Sequence, residues 1–341
     1  MLCGVETLRA NIVALLLFFL SAPYTNYSVF SANSFLNAGL PGLMVDDAVG
    51  SRKRVFRRVG AAWFTSWLVE ELEKNRGACI KTSLDMGLTW SMVCVSREGL
   101  VGGERLGFQV SLDEVKPRGS DRVVVVEKPG VVYEVARWCE EGFYKLKAVA
   151  PFKAPTLEIK GIHMHRIVGT DPWSDTRAKI LDARIRRGHV VLDTCMGLGY
   201  TAIQSVLRGA SRVVTIEVDP NVIWVAERNP WSHMLSDDRI TLLEGDATRI
   251  VSVFPDECFD RIIHDPPRLT GLTGDLYSLE FYQELYRVLK TGGVLYHYTG
   301  EPGKHGGISL VKGVGERLRR AGFTVWFSRR SLGYVAVKQR L

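Results

Sequence analysis

Between residues 190 and 268 the chain repeats one short phrase: an apolar run that ends on an acid, then turn residues, then an amphipathic stretch. The runs are residues 190–193, 213–217, 240–243 and 259–264, with 293–297 continuing the series and a helix expected over 278–290. Short continuous apolar runs suit strands buried on both faces, and strands that alternate with helices need crossover connections. The pattern therefore calls for an α/β fold with a doubly wound, mostly parallel sheet. Residues 323–327 and 333–337, behind a helix over 311–320, read as a closing strand pair and bring the expected count to seven strands. In such a sheet ligands bind at the carboxyl ends of the strands, which is where the acids fall.

The first of these ends reads Asp193-Thr194-Cys195-Met196-Gly197-Leu198-Gly199-Tyr200-Thr201. Gly197 and Gly199 lack a Cβ, so the chain can turn sharply there and a ligand can approach the backbone facing a helix amino terminus. Glu217 closes the next strand, placed to accept both hydroxyls of a ribose. Asp246 and Ala247 follow the third, where an Asp side chain can reach an adenine amino group. Each acid alone could be a helix cap or a solvated loop residue; three in order, one per strand end, favour a nucleoside ligand. The fourth end carries His264-Asp265-Pro266-Pro267-Arg268. Two successive prolines have no N–H to donate, so the carbonyls around them stay free beside the Asp265 carboxylate, an acceptor cluster that can orient an amino group or ring nitrogen.

These residues resemble the class I S-adenosylmethionine-dependent methyltransferases over about residues 160–341. The resemblance implies a Rossmann-like fold with S-adenosylmethionine as cofactor. Asp193, Gly197, Gly199, Tyr200 and Thr201 would lie under the methionine part of the donor, Glu217 on the ribose, and Asp246 and Ala247 at the adenine. Asp265-Pro266-Pro267 is similar to the Asp-Pro-Pro-aromatic motif of enzymes that methylate nitrogens in nucleic acids, which gives Asp265, Pro266, Pro267 and the adjacent His264 as catalytic candidates. Arg268 stands where that motif has an aromatic residue, leaving Tyr277, Tyr282 or Tyr298 to supply base stacking. A closer resemblance, to a family of predicted archaeal methyltransferases, rests on Ala154-Pro155-Thr156, Gly161-Ile162-His163-Met164-His165-Arg166, Asn229-Pro230-Trp231-Ser232 and His297-Tyr298-Thr299-Gly300, and reaches back to about residue 79. Polyamine aminopropyl transferases use a related fold and donor, but usually bring a Gly-Gly-Gly-Asp-Gly turn from which Met196-Gly197-Leu198-Gly199 departs. A protein or small-molecule acceptor is a further alternative.

Upstream the text changes. Short β-branched runs at 93–96, 108–112, 123–127, 131–135 and 145–149, separated by Gly and Pro, imply a small antiparallel module, with Lys128-Pro129-Gly130 turning a hairpin. The expected division is an extension over 1–75, a β-rich domain over 76–165 and the donor-binding domain over 166–341. The extension holds an apolar run at 12–20, which has the outline of a secretory signal but is too short to span a bilayer. Its other readings are a helix packed on the body, or an upstream stretch with Met44 as the start. Arg52, Lys53, Arg54, Arg57 and Arg58 then lead into a helix expected over 61–75, as a phosphate contact or a solvated face.

Lys plus Arg exceed Asp plus Glu by 44 to 37, a net +7 that leans toward a polyanionic partner, here RNA, of tRNA or rRNA kind. The six cysteines are scattered without a Cys-x-x-Cys pair, so neither disulfides nor a metal site is expected and a cytoplasmic location is. His163, His165, His264 and His297 could line one pocket, although single histidines at strand ends are more often hydrogen-bonded scaffold.

Overall fold

The computed structural model describes residues 50–60, 62–104, 106–271, 273–300 and 307–339. The apolar run at 12–20 and Met44 lie outside the described residues. Strand β1 (Arg52–Arg54) opens the described chain and belongs, unexpectedly, to the large carboxyl-terminal sheet. Three small antiparallel sheets follow. One joins β2 (Ala62–Phe64), β7 (Val124–Lys128) and β8 (Val131–Glu134); another joins β3 (Ala78–Thr82), β4 (Ser91–Val95), β5 (Leu100–Gly103) and β6 (Val110–Ser111). The third joins β9 (Ala136–Cys139), β10 (Gly142–Lys147), β11 (Thr156–Ile159) and β12 (Ile162–His163).

The large sheet runs β1-β15-β14-β13-β16-β17-β19-β18, with β13 (Val190–Asp193), β14 (Arg212–Glu217), β15 (Ile240–Glu244), β16 (Phe259–His264), β17 (Leu289–Tyr298), β18 (Thr324–Ser328) and β19 (Gly333–Val337). Strands β13 to β17 pair in parallel, and β19 is antiparallel to both its neighbours. The order reverses at β13, so the turns after β13 and β16 open a crevice between them. The helices are α1 (Ser66–Lys74), α2 (Leu112–Val115), α3 (Pro172–Asp182), α4 (Tyr200–Leu207), α5 (Pro220–Glu227), α6 (Ala247–Ser252), α7 (Leu279–Val288) and α8 (Gly307–Arg320). One core joins the large sheet and its helices to the β9–β12 sheet through Tyr144, Leu146, Leu157, Tyr200 and Val222. A second lies under β2–β7 around Phe64, Leu72, Val93 and Val110. Among the described residues no helix is long and apolar enough to cross a membrane.

Four expectations need correction. The sheet has eight strands, because β1 pairs antiparallel with β15 and Arg52 and Arg54 reach Glu244 at 2.7 and 2.6 Å. Two of the five cations of that segment are thus engaged by a carboxylate. The helix expected over 61–75 begins only at Ser66: Ala62–Phe64 is a fully buried strand, and Thr65 caps α1 by accepting from Leu68 N. The strand expected over 108–112 shrinks to β6, since Ser111 and Glu114 form a capping box that starts α2. Cys79 and Cys94 are cross-strand partners of β3 and β4 with Cα atoms 3.9 Å apart and form a disulfide, a juxtaposition that sequence spacing does not reveal.

Gly199 is the N-cap of α4 at φ 75°, and a Cβ there would lie 2.5 Å from two Leu235 carbons. Gly199→Ala should therefore lower stability by about 1–3 kcal/mol through overpacking and backbone strain, measured by urea unfolding. An unchanged midpoint would contradict this packing.

Candidate active site

The cavity sits at the carboxyl ends of β13 to β16 and contains about 910 Å³ of non-atom space, part of it open to solvent. Each strand end supplies part of the wall: Thr194 to Gly197 from β13, Glu217 from β14, Gly245 and Ala247 from β15, Asp265 to Pro267 from β16. Tyr200 and Thr201 of α4 join them. The opposite wall comes from the small third sheet, through Leu157, Ile159, Met164 and His165. Sequence reasoning gave that module a part in holding the polyanion, not a wall of this cavity. Its contribution follows from Tyr144 of β10, whose hydroxyl donates to Asp219 at 2.5 Å and ties the sheet to the start of α5.

Gly197 has φ 54°, and a Cβ there would meet nothing within 4 Å, so the turn leaves open space on the cavity side. Glu217 accepts from Gly197 N and Asp219 N, both at 3.0 Å, one on each carboxylate oxygen. A second lone pair on each oxygen remains for a diol. Burial pushes Glu217 up to about 7, against the pull of the Asp219 and Gly197 amides. Asp193 is fully buried behind the turn: Oδ2 accepts from Thr215 at 2.7 Å and Thr201 at 3.0 Å, while Oδ1 is without a hydrogen bond. Burial pushes it too up to about 7, opposed by the two threonines. It fastens α4 to β14 and does not line the cavity. Asp246 is the N-cap of α6, accepting from Thr248 N and Oγ1 at 2.8 Å. Gly245 and Ala247 line the cavity, while the Asp246 carboxylate, read for the adenine, accepts the cap hydrogen bonds.

Asp265 enters the cavity from the end of β16. Its Oδ2 lies 2.6 Å from Nζ of Lys179, which is fully buried on α3 and also 3.3 Å from Asp175 Oδ2. Arg166 reaches Asp175 Oδ1 at 3.1 Å, and the Tyr298 ring lies 4.2 Å from Lys179 Nζ. Burial opposes the Lys179 charge, but Asp265 and Asp175 outweigh it and hold the ammonium above its ordinary value. Sequence reasoning missed Lys179. The signal was present: Asp175, Thr176, Lys179 and Ile180 form the buried stripe of α3, and charges on an inward stripe mark paired groups.

His264 is fully buried and lies behind the cavity wall. Its Nε2 faces the Leu276 carbonyl at 2.9 Å, an acceptor only, so Nε2 carries the proton and Nδ1 accepts from Thr194 Oγ1 at 2.7 Å. Burial pushes its pKa down to about 4. The catalytic role read for His264 is therefore corrected to a neutral brace that positions Thr194. His297 is equally buried, between Tyr282 and the Tyr298 carbonyl, and His163 pairs with Glu158 at 3.0 Å. Of the four histidines only His165 lines the cavity, its ring 5.1 Å from that of Tyr200. Tyr282 is buried on His297, Tyr277 donates to the Pro267 carbonyl at 2.7 Å, and Tyr298 packs on Lys179, so none presents a face to the cavity for base stacking. Trp231 packs on Trp173, ring centroids 5.2 Å apart, against the core. No group of metal-ligating side chains occurs among the described residues.

A Gly197 turn open to the cavity, a ribose acid with two free lone pairs and an acceptor cluster one strand away define a class I S-adenosylmethionine-dependent methyltransferase. Residues 191–293 match the family described as a methyltransferase domain. The chain belongs to the family of an uncharacterized protein of Methanocaldococcus jannaschii, to which it is 44% identical over 283 residues, 82% of this chain and 96% of that one. It is also similar to a polyamine aminopropyltransferase of Thermoplasma volcanium, 31% identical over 96 residues, 28% of this chain and 35% of that one. In fold it is similar to a spermidine synthase solved with the transition state analogue AdoDATO, with a TM-score of 0.50, 20% identity, and coverage of 62% of this chain and 77% of that one.

S-adenosylmethionine fits this wall: Glu217 would take the ribose hydroxyls, the Gly197 backbone the methionine portion, and Ala247 the adenine side. When bound it supplies an activated methyl group on a sulfonium. Because diol binding uses the ionised carboxylate, donor affinity should fall as pH drops through about 7, with Kd several-fold weaker at pH 6 than at pH 8. Calorimetry at the two pH values tests this, and a Glu217→Gln variant should lose the slope.

Proposed function

We propose that the chain methylates a nitrogen of a base in tRNA or rRNA. The observation that carries this reading is the shared cavity: Asp265, Pro266 and Pro267 line the same space as Gly197 and Glu217. The Asp265 carboxylate and the Pro266 carbonyl would hold an acceptor nitrogen on the side of the cavity away from Glu217. Bound S-adenosylmethionine would supply the methyl group, and Asp265 would take the proton that the methylated nitrogen releases. Holding the two centres in line supplies most of the acceleration. Exposed Arg268 follows Pro267 at the rim, and exposed Lys53, Arg57 and Arg58 add cations for phosphates. A cytoplasmic location goes with this reading.

Incubation with tritiated S-adenosylmethionine and total unmodified RNA, a protein extract or polyamines tests the proposal. Label should enter RNA; labelled protein or polyamine with blank RNA would overturn it. Arg268→Ala should weaken RNA binding across sequences and reduce the salt slope of log K by about one.

Aminopropyl transfer is the second reading. It is favoured by one observation, the lack of a Lys or Arg among the described residues that line the cavity to pair with a donor carboxylate. Tighter binding of decarboxylated than of intact S-adenosylmethionine would support it.

A further inference from the structure

We infer that Lys179 sets the class of acceptor: its ammonium neutralises Asp265 from behind the cavity wall, so the site accepts a neutral nitrogen and rejects alkylammonium acceptors such as polyamines. This rests on the reading of Asp265 as the group that holds the acceptor. Asp265 is the cavity's link to a partly buried cluster of two carboxylates and two cations, Asp265–Lys179–Asp175–Arg166, joined at 2.6, 3.3 and 3.1 Å. Its formal charges cancel.

An alkylammonium approaching Asp265 would therefore meet a carboxylate already offset by Lys179, with Glu217 and Asp219 as the other carboxylates of the cavity. Its nitrogen has no lone pair until a proton leaves. An amino group or ring N–H of an aromatic base is neutral at physiological pH and needs only an oxygen to accept its hydrogen bond. Burial pushes the Asp265 carboxyl up, and the Lys179 ammonium opposes that shift in favour of the ionised form. The ammonium is supplied from behind the wall: Lys179 is 1% exposed and does not line the cavity, whereas the Asp265 side chain is 17% exposed.

A buried ion pair could instead serve only to hold α3 against β16, and specificity separates the two roles. Spermidine is titrated calorimetrically into the full-length chain loaded with S-adenosylhomocysteine, for the wild type, Lys179→Arg and Lys179→Met, each checked for a melting transition and for product affinity. Wild type and Lys179→Arg should give no heat up to millimolar spermidine. Lys179→Met should bind it at least about tenfold more tightly, and Lys179→Met/Asp265→Asn should lose that gain. Spermidine binding by the loaded wild type would overturn the inference whether or not the variants fold, and so would a folded, product-binding Lys179→Met that ignores spermidine. Failure of the RNA proposal reads differently: RNA stays unlabelled while the spermidine results stand.

Discussion

Asp265→Asn should lower the rate of methyl transfer by about 10²–10⁴-fold while leaving the donor Kd within about threefold. The asymmetry follows from position. Asp265 lies one strand from the Gly197 turn and two from Glu217, so on the proposed reading its carboxylate acts on the nucleophile and not on the nucleoside. Asparagine keeps the shape but offers a weaker acceptor that cannot take a proton. Lys179 loses its nearer partner and keeps Asp175 at 3.3 Å, so the variant's melting transition is measured alongside single-turnover rates. Equal losses in rate and donor affinity would remove Asp265 from the acceptor role.

Glu217→Ala should act in the opposite sense. It removes the acceptor of Gly197 N and Asp219 N together with the ribose contact. Hydrogen bonds to a charged group contribute about 1.5–3 kcal/mol, which corresponds to donor affinity about 10- to 150-fold weaker. At saturating donor the rate should change far less. Calorimetry with S-adenosylmethionine decides the matter, and an unchanged Kd would mean that the nucleoside lies elsewhere.

The positions of Gly197, Gly199 and Glu217 were legible because strand ends and turns are local features. Asp193, Gly197, Gly199 and Glu217 fall at strand ends and turns that periodicity alone locates, and a glycine at positive φ is a property of a few consecutive residues. Even there, side-chain direction was not local: the sequence places Asp193 and Asp246 at strand ends, but burial turned Asp193 behind the sheet and the start of α6 claimed Asp246 as a cap. His264 was misread for the same reason. Its place at the end of β16 is written in the sequence, and its two hydrogen-bond partners, Thr194 and the Leu276 carbonyl, are not.

The periodic alternation of apolar runs and amphipathic stretches determined the α/β class, the closing strand pair and the crevice at β13, because strand burial and helix amphipathicity are set by neighbours a few residues apart. Only the tertiary structure decided that β1 crosses more than 180 residues to extend the sheet, that the third small sheet forms the opposite wall, and that Lys179 meets Asp265 across 86 positions. Such long-range pairings depend on which buried charges and edge groups find partners once the chain has collapsed, and residue spacing carries no record of that.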